Sequence, residues 1–130
     1  MRYMVFAALL LLVPFLQVTE GLSTIKTRPQ GPYCGDYFSI VEGRVDFPVD
    51  LDTFDISLTI SGDVEECKNE PYVYDEVSGN VELTNAQDPG DCLGSILRRN
   101  QLTLMVTYHP DDDKISLDFG IAVVNLSPCP

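Results

Sequence analysis

The 130-residue chain carries 20 Asp plus Glu against 8 Lys plus Arg, a formal net charge of −12. That balance excludes long-range attraction to nucleic-acid phosphates or anionic lipid headgroups. It suits solubility in an extracellular fluid or steering toward a basic partner, and charge alone does not choose between them.

Met1 and Arg2 precede an apolar run from Val5 to Val18, interrupted by Pro14 and Gln17. With Thr19-Glu20-Gly21 after it, residues 1–21 read as a secretory signal peptide cleaved after Gly21. The run is too short to cross ~30 Å of hydrocarbon comfortably, and no later segment is long enough, so no span is expected in the mature chain. Residues 22–33 are polar and contain Pro29, Gly31 and Pro32, as a flexible mature N-terminus would. Residues 34–130 remain for one small domain.

The first strand candidate is Tyr37 to Phe47, where Tyr37, Val41, Val45 and Phe47 share one parity and Gly43 marks a bulge or bend. Pro48 to Asp52 is a turn. From Thr53 to Ser61, Phe54, Ile56, Leu58 and Ile60 alternate with Asp55, Ser57, Thr59 and Ser61, which puts one dry face and one wet face on a strand. A polar link through Cys67 leads to Tyr72–Tyr74, which turns through Ser78-Gly79-Asn80 into Val81–Leu83 as a second hairpin.

Asp88 is placed to cap a helix and Pro89 to begin it, with Cys92, Leu93, Ile96 and Leu97 on one face. Arg98 and Arg99 suit the negative end of its dipole, and Asn100 a left-handed stop. Gln101 to Tyr108 returns to alternation, with Leu102, Leu104, Val106 and Tyr108 together. His109 to Asp113 is a turn, and Lys114 to Leu126 the closing strand, with Ile115, Leu117 and Phe119 inward. Beyond Gly120 the strand is apolar on both parities, through either a bulge or cover on both faces. The pattern predicts a mainly β fold, a small antiparallel barrel or sandwich of about six strands with one short α-helix before the last hairpin.

Cys34, Cys67, Cys92 and Cys129 are an even set in an exported chain and read as disulfides. No Cys-x-x-Cys occurs and His109 is the single histidine, so no metal site is expected. Setting Phe47 opposite Thr53 across the first hairpin brings Cys34 almost opposite Cys67. The predicted bridges are therefore Cys34–Cys67 and, by elimination, Cys92–Cys129.

No catalytic residue and no cofactor is assigned. His109 sits in a turn beside acidic residues, and Gly-x-Ser-x-Gly, His-Glu-x-x-His and phosphate-cradling loops are absent from the sequence. Asp111-Asp112-Asp113 lacks the alternating spacing of a calcium loop. Asn125-Leu126-Ser127 is a glycosylation sequon. The Gly-x-Trp that marks lipocalins and the cystatin Gln-x-Val-x-Gly are both missing.

Tyr37, Phe47, Phe54, Ile56, Leu58, Ile60, Leu102, Leu104, Val106, Tyr108 and Phe119 are expected to fill the core or to line a ligand cavity. The leading expectation is a secreted, non-catalytic binding domain that engages an extracellular protein or surface. The alternative is a carrier of a small apolar ligand inside a barrel, and a carboxylate-based hydrolase comes third. A filled interior with an exposed apolar patch favours the first, a roomy cavity the second, and two buried carboxylates in a cleft the third.

Overall fold

A computed structural model describes residues 27–130. The expected signal peptide and residues 22–26 lie outside the described residues.

The chain runs β1 (Gly31–Tyr37), β2 (Val41–Phe47), β3 (Thr53–Ile60), β4 (Asp63–Tyr74), β5 (Asn80–Leu83), α1 (Cys92–Arg99), β6 (Met105–His109), β7 (Lys114–Asp118) and β8 (Val123–Pro128). Each strand pairs antiparallel with the next, and β1 pairs with β8, closing the sheet into a barrel. Closure removes the unpaired edges that an open sheet of this size would expose.

The alternation on β3 is the clearest cause. Phe54, Ile56 and Leu58 are buried and Ile60 half-buried, while the residues between them stay wetter. Inward residues of β2, β7 and β8 meet that row, with Val45, Phe47, Ile115, Leu117, Val124 and Leu126 all buried. Gly43 also faces inward, where a Cβ would stand 3.3 Å from Leu117 and 3.4 Å from Leu126. The barrel is so narrow at this waist that aliphatic tips from the far wall fill the space of a side chain.

Eight strands replace the expected six for two reasons. Residues 31–33, expected in the flexible lead, begin β1, and Tyr33 there is fully buried. The single closing strand expected from Lys114 to Leu126 folds back at Gly120 (φ 87°), where Phe119 N–H donates to the Ala122 carbonyl. Two strands in hairpin register, not one bulged strand, explain why that stretch is apolar on both parities.

The helix begins later than Asp88. Asp91 is the N-cap, accepting from Gly94 N–H at 2.8 Å, and Asn100 ends the helix at φ −96°. The left-handed residue is instead Gln101 (φ 54°). Its N–H reaches the Arg98 carbonyl and Leu102 N–H the Leu97 carbonyl, the paired bonds of a Schellman stop. Beta pairing between β4 and β5 spans Tyr72–Tyr74 against Val81–Leu83. Along the rest of β4, α1 takes the place of a neighbouring strand, and Leu93, Ile96 and Leu97 complete the core from that side.

The disulfides are Cys34–Cys129 and Cys67–Cys92, which overturns both predicted pairings. The hairpin argument treated the chain from Cys34 to Phe47 as one strand facing Thr53 to Cys67. A turn at Phe38-Ser39 splits it, so Cys34 lies opposite Arg44 on β2 and, across the barrel seam, opposite Ser127 on β8. Cys129 is then its neighbour. Cys67, opposite Ile56, is left to hold α1 through Cys92. Among the described residues, no helix is long and apolar enough to cross a membrane.

Candidate functional site

The two ends of the barrel are built differently. At the end holding the β2–β3 and β6–β7 turns, six aromatic rings pack together. Phe47 stands 5.4 Å from both Phe54 and Tyr72, and Tyr33 lies 6.1 Å from Phe47 and 6.3 Å from Tyr108. Tyr74 joins at 6.1 Å from Tyr108. All of these but the tilted Phe47–Phe54 pair are edge-on, and such contacts add to the burial of the rings themselves.

Polar atoms at this end are largely matched. Asp113, turned inward by a left-handed φ of 53°, accepts from the Tyr33 hydroxyl at 2.7 Å and the Tyr108 hydroxyl at 2.9 Å. Burial, then the carboxylate, pushes the Tyr33 phenol up to about 12, and the same causes raise that of Tyr108. Arg28 donates to the Tyr72 hydroxyl at 2.6 Å and lies over that ring. Tyr74 is the exception, its hydroxyl buried without a hydrogen-bond partner.

The opposite end is an apolar mouth. Ile40, Val41, Ile60, Ser61, Asn100, Leu102, Phe119, Ile121 and Ala122 line an open cavity of about 250 Å³. Three chain reversals and the helix stop supply them. Ile121 is 82% exposed, Ile40 56%, and Phe38, on the same reversal as Ile40, 80%.

Phe38 is held out by its backbone. Phe38 (φ 48°) and Ser39 (φ 60°) are both left-handed, with Ile40 N–H donating to the Tyr37 carbonyl and Ser39 N–H to Asp36. Such turns normally take Gly, Asn or Asp, and a bulky side chain there is strained. Its ring packs edge-on against Tyr37 at 4.8 Å. Sequence reasoning missed this turn because the usual turn residues are absent; the unbroken aromatic pair Tyr37-Phe38 hid it.

The structure separates the expected ligand-lining residues into two groups. Phe47, Phe54, Ile56, Leu58, Val106 and Tyr108 are buried in the packed interior, whereas Ile60, Leu102 and Phe119 border the mouth. Tyr37 and Leu104 pack partly buried against the core.

Two carboxylates do converge, Glu70 and Asp91, at the start of α1. Glu70, 5% exposed, accepts from Leu93 N–H at 3.0 Å, and Asp91 from Gly94 N–H, so each carboxylate is engaged as a helix cap. Burial raises the Glu70 carboxyl above its ordinary range, the Leu93 N–H opposes this, and Asp91 adds to it. Cys67, Glu70 and Cys92 offer ligand atoms within 4.8 Å of one another, with both sulfurs committed to their disulfide.

His109 Nε2 lies 2.9 Å from Ser116 Oγ, which donates in turn to Asn125 at 3.2 Å. This row stands on the outer wall of β6, β7 and β8, with His109 and Asn125 both exposed. Compared with protein-family models, curated proteins and solved structures, the chain matches none.

Proposed function

We propose that this chain is a secreted, non-catalytic binding domain that engages another extracellular protein through the apolar mouth. The observation that carries the reading is the contrast between a side-chain-filled barrel and the exposed Phe38, Ile40 and Ile121 at its open end. Exposed apolar residues grouped around a concavity are the usual mark of a contact surface. Two disulfides are compatible with an extracellular location.

The carrier reading has the apolar lining of the same cavity in its favour. At about 250 Å³ that cavity falls below the usual range for drug-sized ligands, roughly 300–1,000 Å³. The hydrolase reading would need carboxylates turned into a cleft, and Glu70 and Asp91 face helix N–H groups.

A photo-crosslinking side chain at Ile121 tests the proposal, with one at Val77, 98% exposed in the β4–β5 loop at the opposite end, as the control. In the protein's own extracellular fluid, a protein adduct at position 121 and none at 77 is the expected result. Adducts at both positions alike, or a small apolar molecule released from the native protein on denaturation in a mass spectrometer, would overturn it.

A further inference from the structure

The mouth is apolar inside and acidic outside. Ile60 pairs with Asp63 across the β3–β4 turn, and Asp118 stands one residue before Phe119 on the β7–β8 reversal. Asp36 and Glu42 are opposed on adjacent strands just below Phe38, both exposed. Like charges set directly opposite each other on a sheet repel.

Asp36 and Asp118 each accept one backbone N–H, from Ser39 and Gly120, which shapes the loops but brings no positive charge. Among the described residues the ion pairs are Arg28–Asp52 and Arg99–Glu65, so none of these four rim acids is neutralised. Arg44, next on the outer face of β2 beyond Glu42, is turned toward the Cys34 and Cys129 sulfurs at 3.8 Å.

We propose that the mouth takes one large apolar side chain of a protein partner, flanked in that partner by Lys or Arg residues that meet Asp36, Glu42, Asp63 and Asp118. This rests on the protein-binding reading above and names the chemistry of its partner. The open cavity of about 250 Å³ suits a single anchoring side chain of the kind that dominates interface energetics. Unneutralised carboxylates around it favour a basic surround and raise the association rate of a basic partner.

A second copy of this chain is a poor occupant, because it would bring two rims of the same sign together in molecules of net charge −12. An anionic lipid surface meets the same repulsion. The strained Phe38 turn fits the same use, since strained backbone clusters at sites that contact ligands.

The test is an amide-shift titration by NMR with capped five-residue peptides. Lys-Arg-Phe-Lys-Arg should shift Ile40, Ile60, Leu102 and Ile121, with a Kd of about 1 mM or tighter. Replacing its phenylalanine by alanine should weaken it about tenfold, as loss of an anchor does. Raising salt from about 0.05 to about 0.5 M should also weaken it severalfold, because exposed charges are screened.

In the protein, an Asp36→Asn and Glu42→Gln double variant should lose affinity for the basic peptide alone. Phe38→Asn, which suits the left-handed turn and keeps the fold, should lose part of the affinity for every phenylalanine peptide. Equal binding by Gly-Ser-Phe-Ser-Gly would overturn the basic-partner inference and leave protein docking at the mouth standing. No shift at the mouth with any peptide would overturn both.

Discussion

The closed end and the mouth of this barrel are made from similar residues and obey different rules. At the closed end, aromatic rings face inward, and the hydroxyls of Tyr33, Tyr72 and Tyr108 are gathered by Asp113 and Arg28. At the mouth, Phe38, Ile40 and Ile121 face outward from reversals that nothing in the described chain covers. The first arrangement holds the fold together. The second carries a strained backbone at Phe38, and it is the end through which we propose that the domain binds.

Breaking the covalent closure should have the largest effect. Replacing Cys34 and Cys129 by serine opens a link between residues 95 apart in sequence and should cost about 4 kcal/mol in urea unfolding, somewhat more than losing Cys67–Cys92 at a separation of 25. A non-reduced peptide map should first show those two linkages and no others.

Next comes Asp113→Ala, which leaves the Tyr33 and Tyr108 hydroxyls without their acceptor and should cost about 2–4 kcal/mol. Tyr74→Phe, at the same end, should cost nothing measurable, because that hydroxyl has no partner to lose. Alkaline titration sharpens the point. Tyr33 ionises at about 12 in the folded protein against about 10 in an unfolded chain. Its stabilising contribution is therefore full below pH 10 and lost as pH rises toward 12. Phenolate absorbance should rise together with loss of near-ultraviolet circular dichroism over that interval, and titration of all the tyrosines near pH 10 without unfolding would contradict the buried network.

The helix that frames one side of the mouth gives a smaller effect, with the opposite experimental lever. Burial raises the folded Glu70 carboxyl above its unfolded value, so its contribution is present at low pH and lost as pH rises through the folded value. Glu70→Gln keeps an acceptor for Leu93 N–H and removes the charge. Its urea midpoint should exceed that of the parent at pH 7, and the two should converge as pH falls below the ordinary carboxylate range. The smallest effect belongs to Arg99→Ala. It breaks an exposed pair with Glu65 at 3.0 Å and should cost no more than about 0.5 kcal/mol in the same assay.

Side-chain alternation made β3 legible residue by residue, because a dry face and a wet face leave a period of two in the sequence. The Tyr72–Leu83 hairpin was legible through Ser78-Gly79-Asn80, since Gly79 (φ 77°) sits where a turn needs it. The register of the β6–β7 hairpin was not legible: setting Thr107 opposite Ile115 misses by one residue, since Tyr108 is the residue that pairs with Ile115, and such a slip puts an outward threonine against an inward isoleucine.

The amino-acid sequence by itself thus determined a disulfide-bonded, mainly antiparallel β domain with one short helix in its second half. Local patterns carry that information. Tertiary structure alone decided the barrel closure, the disulfide partners and the mouth, because all three depend on which distant strands meet. Cys34 finds Cys129 through the β1–β8 seam, which no local period records. The mouth gathers Ile40, Ile60, Leu102 and Ile121 from four separate stretches of chain, of which only Ile60 and Leu102 read locally as core, and they meet only once the barrel has an end.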